Sequence, residues 1–153
     1  MIPNINGRHK IVPASYLMLI KNNQVLLARR MNTGHEDGNY SMPAGHIEPG
    51  ESATSTLIRE AKEEAGVTIK PEDVRMAHVM CRKGSGSENE RVDFFFSAEK
   101  YVGIPKIMEP EKCDDMRWFP IDDLPENTIG YIKQAIDCSR KVIVYSEFGW
   151  DEK

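Results

Sequence analysis

The chain has 153 residues, 40% hydrophobic and 29% charged, and a formal net charge of −4 at pH 7. That length supports one domain, residues 1–153, with a real core, and the composition excludes disordered and membrane-spanning classes. The acidic balance argues against a broad nucleic-acid face, so no stable nucleic-acid complex is expected, while a small anion accompanied by a metal stays compatible.

No apolar run approaches the roughly 20 residues of a bilayer span, and the opening MIPNINGRHK lacks the apolar stretch of a secretory signal. Cys81, Cys113 and Cys138 are scattered without a CxxC pair, which fits a reducing, cytoplasmic setting. Two apolar runs between Ile11 and Arg30 flank Lys21-Asn22-Asn23 and read as a β-hairpin. Residues 31–40 are rich in Gly, Asn and Asp and read as a surface loop, and Tyr40–Pro43 as a short extended stretch. Ser52 is a candidate N-cap and Gly66 a candidate stop for a helix between them. Arg75–Arg82 and Arg91–Ala98 read as strands joined by the polar loop KGSGSENE. Phe94, Phe95 and Phe96 suggest that the second strand buries both faces in part. A long loop, GIPKIMEPEKCDD, precedes a short strand MRWFPI in which Trp118 reads as core. Asn127 is then a candidate cap for a last helix with Ile129, Ile132 and Ile136 on one face. The order predicts an α/β or α+β architecture, a mixed β-sheet sandwiched between helices.

The helix from Ser52 poses a physical problem. Glu60, Glu63 and Glu64 span only about 100° of its circumference, beside the apolar arc of Leu57, Ile58, Ala61 and Ala65. Glu60 and Glu64 are a like-charge i,i+4 pair, unfavourable by a few tenths of a kcal/mol when exposed and by more when desolvated. Arg59 is i,i+4 to Glu63, but one cation cannot neutralise three anions. Either the carboxyls titrate abnormally or a hard cation such as Mg²⁺ or Mn²⁺ joins them.

The spacing around this helix narrows the choice. Gly45, Glu51, Arg59-Glu60, Glu63-Glu64 and Gly66-Val67 reproduce GX5EX7REUXEEXGU, with Ala61 at the small end of the aliphatic class. Seven fixed letters at about 7% background each match by chance on the order of once in 10⁸ starts. The pattern resembles the Nudix box, and the likeness extends over roughly residues 12–137, including VLLARR and EPEKCDDMRWFPIDDLP.

That resemblance implies a Nudix fold with a catalytic loop–helix–loop. It implies a Mg²⁺- or Mn²⁺-dependent pyrophosphohydrolase cleaving a nucleoside diphosphate linked to another moiety. A nucleoside triphosphate, ordinary or oxidised, would yield monophosphate and pyrophosphate. A nucleotide sugar, an ADP-ribose type or a dinucleotide is an alternative substrate. A non-catalytic nucleotide-sensing module is the alternative from another class, although such modules usually lose box carboxylates. The resemblance makes Glu60 and Glu64 metal ligands, Glu63 the third carboxylate, and the Ala44 carbonyl a further ligand. The family often has Gly-Gly after the proline, whereas here the run is Pro43-Ala44-Gly45. Gly45 permits close backbone approach, and Arg59 would pair with Glu51. The general base would be Glu63 or a loop acid, Glu111 first and Glu109 behind it. Arg29 or Arg30 would meet phosphate, the other facing solvent. His46, Asp114 and Asp115 are candidate substrate contacts. Single-domain relatives commonly dimerise, so a homodimer is compatible.

Overall fold

The computed structural model describes residues 7–84 and 89–151. The middle of the KGSGSENE loop and the start of the N-terminal segment therefore lie outside the described residues. A five-stranded mixed sheet has the order β5 (Ala44–His46), β1 (Val12–Leu17), β7 (Arg91–Ala98), β6 (Val74–Arg82), β9 (Tyr145–Phe148). β1 runs parallel to β7 and β9 parallel to β6, the other pairs being antiparallel. In a second, antiparallel sheet, β3 (Gln24–Arg30) pairs with β8 (Cys113–Pro120), β2 (Ile20–Lys21) and β4 (Tyr40–Ser41).

Strand alternation sends side chains of the larger sheet to two cores. Tyr16, Met18 and Phe95 pack with Ile132 and Ile136 of α2 (Gly130–Arg140). Leu17, Leu19 and Phe96 pack with Leu57 of α1 (Ala53–Glu60), and Phe94 and Trp118 pack against the same cluster. The sheet sandwiched between helices is thus present, and Phe94–Phe96 serve both faces as expected.

Four local readings change. The first apolar run is divided: β1 belongs to the larger sheet, and only β2 forms the tight hairpin with β3. The buried segment Leu17–Leu19 carries the chain from one sheet to the other. Asn22 and Asn23, at φ 52° and 59°, supply the expected left-handed turn. β8 begins three residues before Met116, because its register with β3 runs on to Arg30. Asn127 does not cap α2. Its amide donates to the Gly38 carbonyl, and Ile129 takes the cap position instead. β9, short and half exposed, carries little apolar alternation to announce it.

Candidate active site

α1 starts where its cap dictates. Ser52 accepts from the Ser55 N–H while the Ser55 hydroxyl accepts from the Ser52 N–H, a reciprocal box. The helix does not stay α-helical to its end. Ala61–Ala65 form a wider π-helical turn, closed by Gly66 at φ +71°, and this turn carries Glu63 and Glu64. Such turns recur at functional positions.

Arg59 is the hub of the helix flank. Its Nε and Nη2 donate to the two oxygens of Glu51 at 2.8 and 2.9 Å, a bidentate fork. Its Nη1 donates to Glu60 at 2.6 Å and Glu63 at 3.3 Å. Glu51 also accepts from the Thr56 hydroxyl and the Glu48 N–H. The Arg59 guanidinium, with these donors, holds the Glu51 carboxyl at about 2. The expected Arg59–Glu51 pairing is therefore present, and it ties the preceding loop to the helix.

The carboxylates beyond Arg59 are less well neutralised. Glu60 is 14% exposed at its side chain and Glu63 53%. Burial pushes Glu64 up to about 8. The Ala44 N–H, donating at 2.8 Å, pulls it back, while Glu60 and Glu109 add to the rise. Burial raises Glu60 as well, against the pull of Arg59. Gly45 makes the approach possible: a Cβ there would lie 2.1 Å from Glu60 Oε1 and 2.6 Å from its Cγ. No side chain larger than glycine's hydrogen fits without moving Glu60.

These acids face a cleft of about 420 Å³ between the π turn, the β4–β5 connection, the end of β3 and the loop before β8. Glu60, Glu63, Glu64 and Glu109 line it, opposed by Arg29, Arg30 and Lys112. Glu109, not Glu111, is the loop acid in the cleft. Glu111 uses its backbone carbonyl to accept from Asn32. Ser41 adds a buried hydroxyl on the cleft wall with no hydrogen-bond partner among the described residues.

Both arginines border the cleft rather than one. A register irregularity between Arg29 and Arg30 breaks the strict alternation that would send one outward. Arg29 Nε is held by Asp114 at 2.7 Å, and Arg30 donates to the His35 carbonyl and Thr33. Asp114 and Asp115 do not line the cleft. Asp115 accepts from the Tyr40 hydroxyl and from Arg117 at 2.9 Å. His46 lies on the far side of Gly45 from the acids, with its Nε2 3.1 Å from Arg91 Nη1. Lys112 and Ser41 were absent from the sequence reading. Neither belongs to the box pattern, and only the fold brings them to it.

Among the described residues, no three His, Cys, Asp or Glu side chains stand close enough as they are to hold one ion. The donors nonetheless have the chemistry that a hard cation requires. They are oxygen only, in negative excess along one wall, partly desolvated, and set on a backbone approach that Gly45 alone admits.

A mixed sheet between helices, with a carboxylate helix pinned by an arginine fork, is the architecture that the sequence resemblance implies. The comparisons agree. A family model of the NUDIX domain matches residues 11–137, and the chain belongs to the Nudix family of hydrolases, which act on pyrophosphate bonds. It is 34% identical over 116 residues to the NAD-capped RNA hydrolase NudC of Pseudomonas putida, covering 76% of this chain and 39% of that protein. A NudC of Pseudomonas syringae pv. tomato is 34% identical over 122 residues, 80% of this chain and 41% of that one. The chain thus spans about two-fifths of the length of these curated relatives. Its fold is similar to the MutT NUDIX hydrolase of Burkholderia pseudomallei, with TM-score 0.77 and 21% identity over 84% of this chain and 98% of that one. No helix among the described residues is long and apolar enough to cross a membrane.

Proposed function

We propose that residues 1–153 act as one domain, a Mg²⁺- or Mn²⁺-dependent pyrophosphohydrolase that cleaves a nucleoside diphosphate linked to another moiety. The observation that carries this is the cleft wall of Glu60, Glu63, Glu64 and Glu109 meeting Gly45, where a hard cation and a pyrophosphate complement the acids and the facing Arg29, Arg30 and Lys112. Glu60, Glu64 and the Ala44 carbonyl are the residues that would hold the cation. A cation held there would supply charge neutralisation and a more acidic water. Arg59, anchored by Glu51, positions Glu60 and Glu63. Arg29 and Arg30 bind phosphate oxygens and orient the scissile linkage. Glu109 or Glu63 accepts the proton of the attacking water, and Glu109 replaces Glu111 in that role because it faces the cleft. The three cysteines, all free of disulfides, support a reducing cytoplasm as the place of action.

Two substrate readings have support. A nucleoside triphosphate fits the general chemistry of the cleft. A dinucleotide pyrophosphate is favoured by the similarity to proteins named NAD-capped RNA hydrolases. A panel of triphosphates, nucleotide sugars, ADP-ribose, NAD⁺ and NAD-capped RNA, incubated with Mg²⁺ or Mn²⁺ and assayed for mononucleotide release, decides between them. Glu64→Gln is expected to lower turnover at least about a hundredfold with the fold intact. Glu109→Gln is expected to lower it by at least about tenfold, and Glu111→Gln to leave it near wild type. Wild-type turnover by Glu64→Gln would remove that residue from the mechanism, and silence across the panel would favour a sensing module.

A further inference from the structure

Gly45 stands between two hollows of opposite chemistry. Beyond the carboxylate cleft lies a second one of about 380 Å³, and the two share Arg30, Thr33 and Ala44. Arg30, Arg82 and Arg91 line the second hollow, Glu48 is its acid, and Tyr16 and Tyr131 give it aromatic walls. Arg82 is already matched. Its Nε donates to the fully buried Asp93, and its guanidinium carbon lies 3.7 Å from the centre of the Tyr131 ring. Arg91 is directly opposite Arg82 in the β6–β7 register, a like-charge pairing that a sheet does not favour. Among the described residues its side-chain hydrogen bond is to His46, at 3.1 Å. A guanidinium only donates, so this contact uses the Nε2 lone pair of a neutral imidazole. His46 therefore braces Arg91 without neutralising it. Of these two facing arginines, only Arg82 is hydrogen-bonded to a carboxylate among the described residues, which leaves a cationic spot next to the proposed site of pyrophosphate cleavage. Guanidinium forks are well suited to phosphate.

We propose that the second hollow is an anion subsite that takes a further phosphate of the substrate, one carried beyond the pyrophosphate that is cleaved, with Arg91 as its contact. The proposal rests on the reading of the first cleft given above and names the substrate class more closely. The substrate is a nucleotide pyrophosphate bearing an additional phosphoryl group. That group has two chemical sources: a ribose 2′- or 3′-phosphate on a free nucleotide, or the first phosphodiester of an RNA 5′ end.

Matched ligands test it by calorimetry without divalent cation, so that no turnover intervenes. The pairs are NAD⁺ with NADP⁺, dephospho-coenzyme A with coenzyme A, and NAD⁺ with a short NAD-capped oligoribonucleotide. A charge-assisted hydrogen bond predicts that the additionally phosphorylated member of at least one pair binds about tenfold tighter. Arg91→Gln is expected to bring that ratio close to one, and Arg91→Lys, which keeps the charge, to retain most of it. A gain with NADP⁺ or coenzyme A assigns the subsite to free nucleotides, and a gain confined to the oligonucleotide assigns it to RNA. Equal binding within every pair by the wild-type protein overturns the proposal. So does a ratio that survives Arg91→Gln in a protein with an unchanged circular dichroism spectrum. Because hydrolysis is not read, the substrate panel judges the enzymatic reading and these ratios judge the subsite.

Discussion

At the scale of single residues, the site depends on one absence, the missing side chain at position 45. A methyl there would overlap the carboxylate of Glu60, with contacts of 2.1 Å to Oε1 and 2.2 Å to Cδ. The obstacle is a flexible side chain rather than backbone, so Gly45→Ala displaces Glu60 while sparing the fold. The thermal midpoint is expected to fall by a few degrees, on the order of 1 kcal/mol. Cation affinity should drop at least about tenfold, as when a supporting contact around a metal ligand is lost. Titrating Mn²⁺ into both proteins checks this, and equal affinities would contradict it. At this scale the sequence was informative wherever the chemistry is local. Gly45, Glu51, Arg59, Glu60, Glu63 and Glu64 sit within twenty residues of one another, and their spacing alone brings them together. Asp114 and Asp115 illustrate the opposite case. Their partners Arg29 and Tyr40 lie some 75 to 85 positions away, joined only by the β3–β8 and β3–β4 registers. Arg117, two positions on, also pairs with Asp115, but its nearness in the chain does not tell an internal ion pair from a ligand contact.

At the scale of elements, the loop and helix of the box are joined by the Arg59–Glu51 fork, and that joint has a pH signature. Arg59 first, and then the Glu48 N–H, hold Glu51 at about 2 against an ordinary 4.5. A depressed carboxyl contributes stability that is fully present above its unfolded value and is lost as pH falls towards its folded one. The wild type is therefore expected to exceed Glu51→Gln in thermal midpoint at pH 7, with the gap narrowing from about pH 5 to pH 3. A gap unchanged across that range would show that the fork does not titrate with folding. The elements themselves were legible where a cap or a turn residue announced them, as Ser52, Gly66 and Asn22-Asn23 did. The π turn at Ala61–Ala65 was not, since its residues read equally well as a last α-helical turn. Nor was the passage of Leu17–Leu19 between sheets, where an unbroken apolar run conceals a change of partner. Loop side chains were hardest: Glu109 and Glu111 differ by two positions, and only the path of the chain into β8 decides that Glu109 reaches the cleft.

At the scale of the molecule, two hollows meet along Arg30, Thr33 and Ala44, acidic on one side and cationic on the other. The helix that supplies the acids is pinned on a rigid sheet by Leu57, Ala61 and Ala65, all fully buried. The acids are thereby held together despite their repulsion. In the function proposed above, a cation would turn this unfavourable cluster into a site for a pyrophosphate. The most direct measurement is calorimetry of Mg²⁺ and Mn²⁺ with the folded wild-type protein and with the double variant Glu60→Gln, Glu64→Gln. Uptake by the wild type with a dissociation constant below about 1 mM, strengthened by a nucleotide and abolished in the double variant, is the expected result. No uptake at millimolar cation, with or without nucleotide, would contradict it.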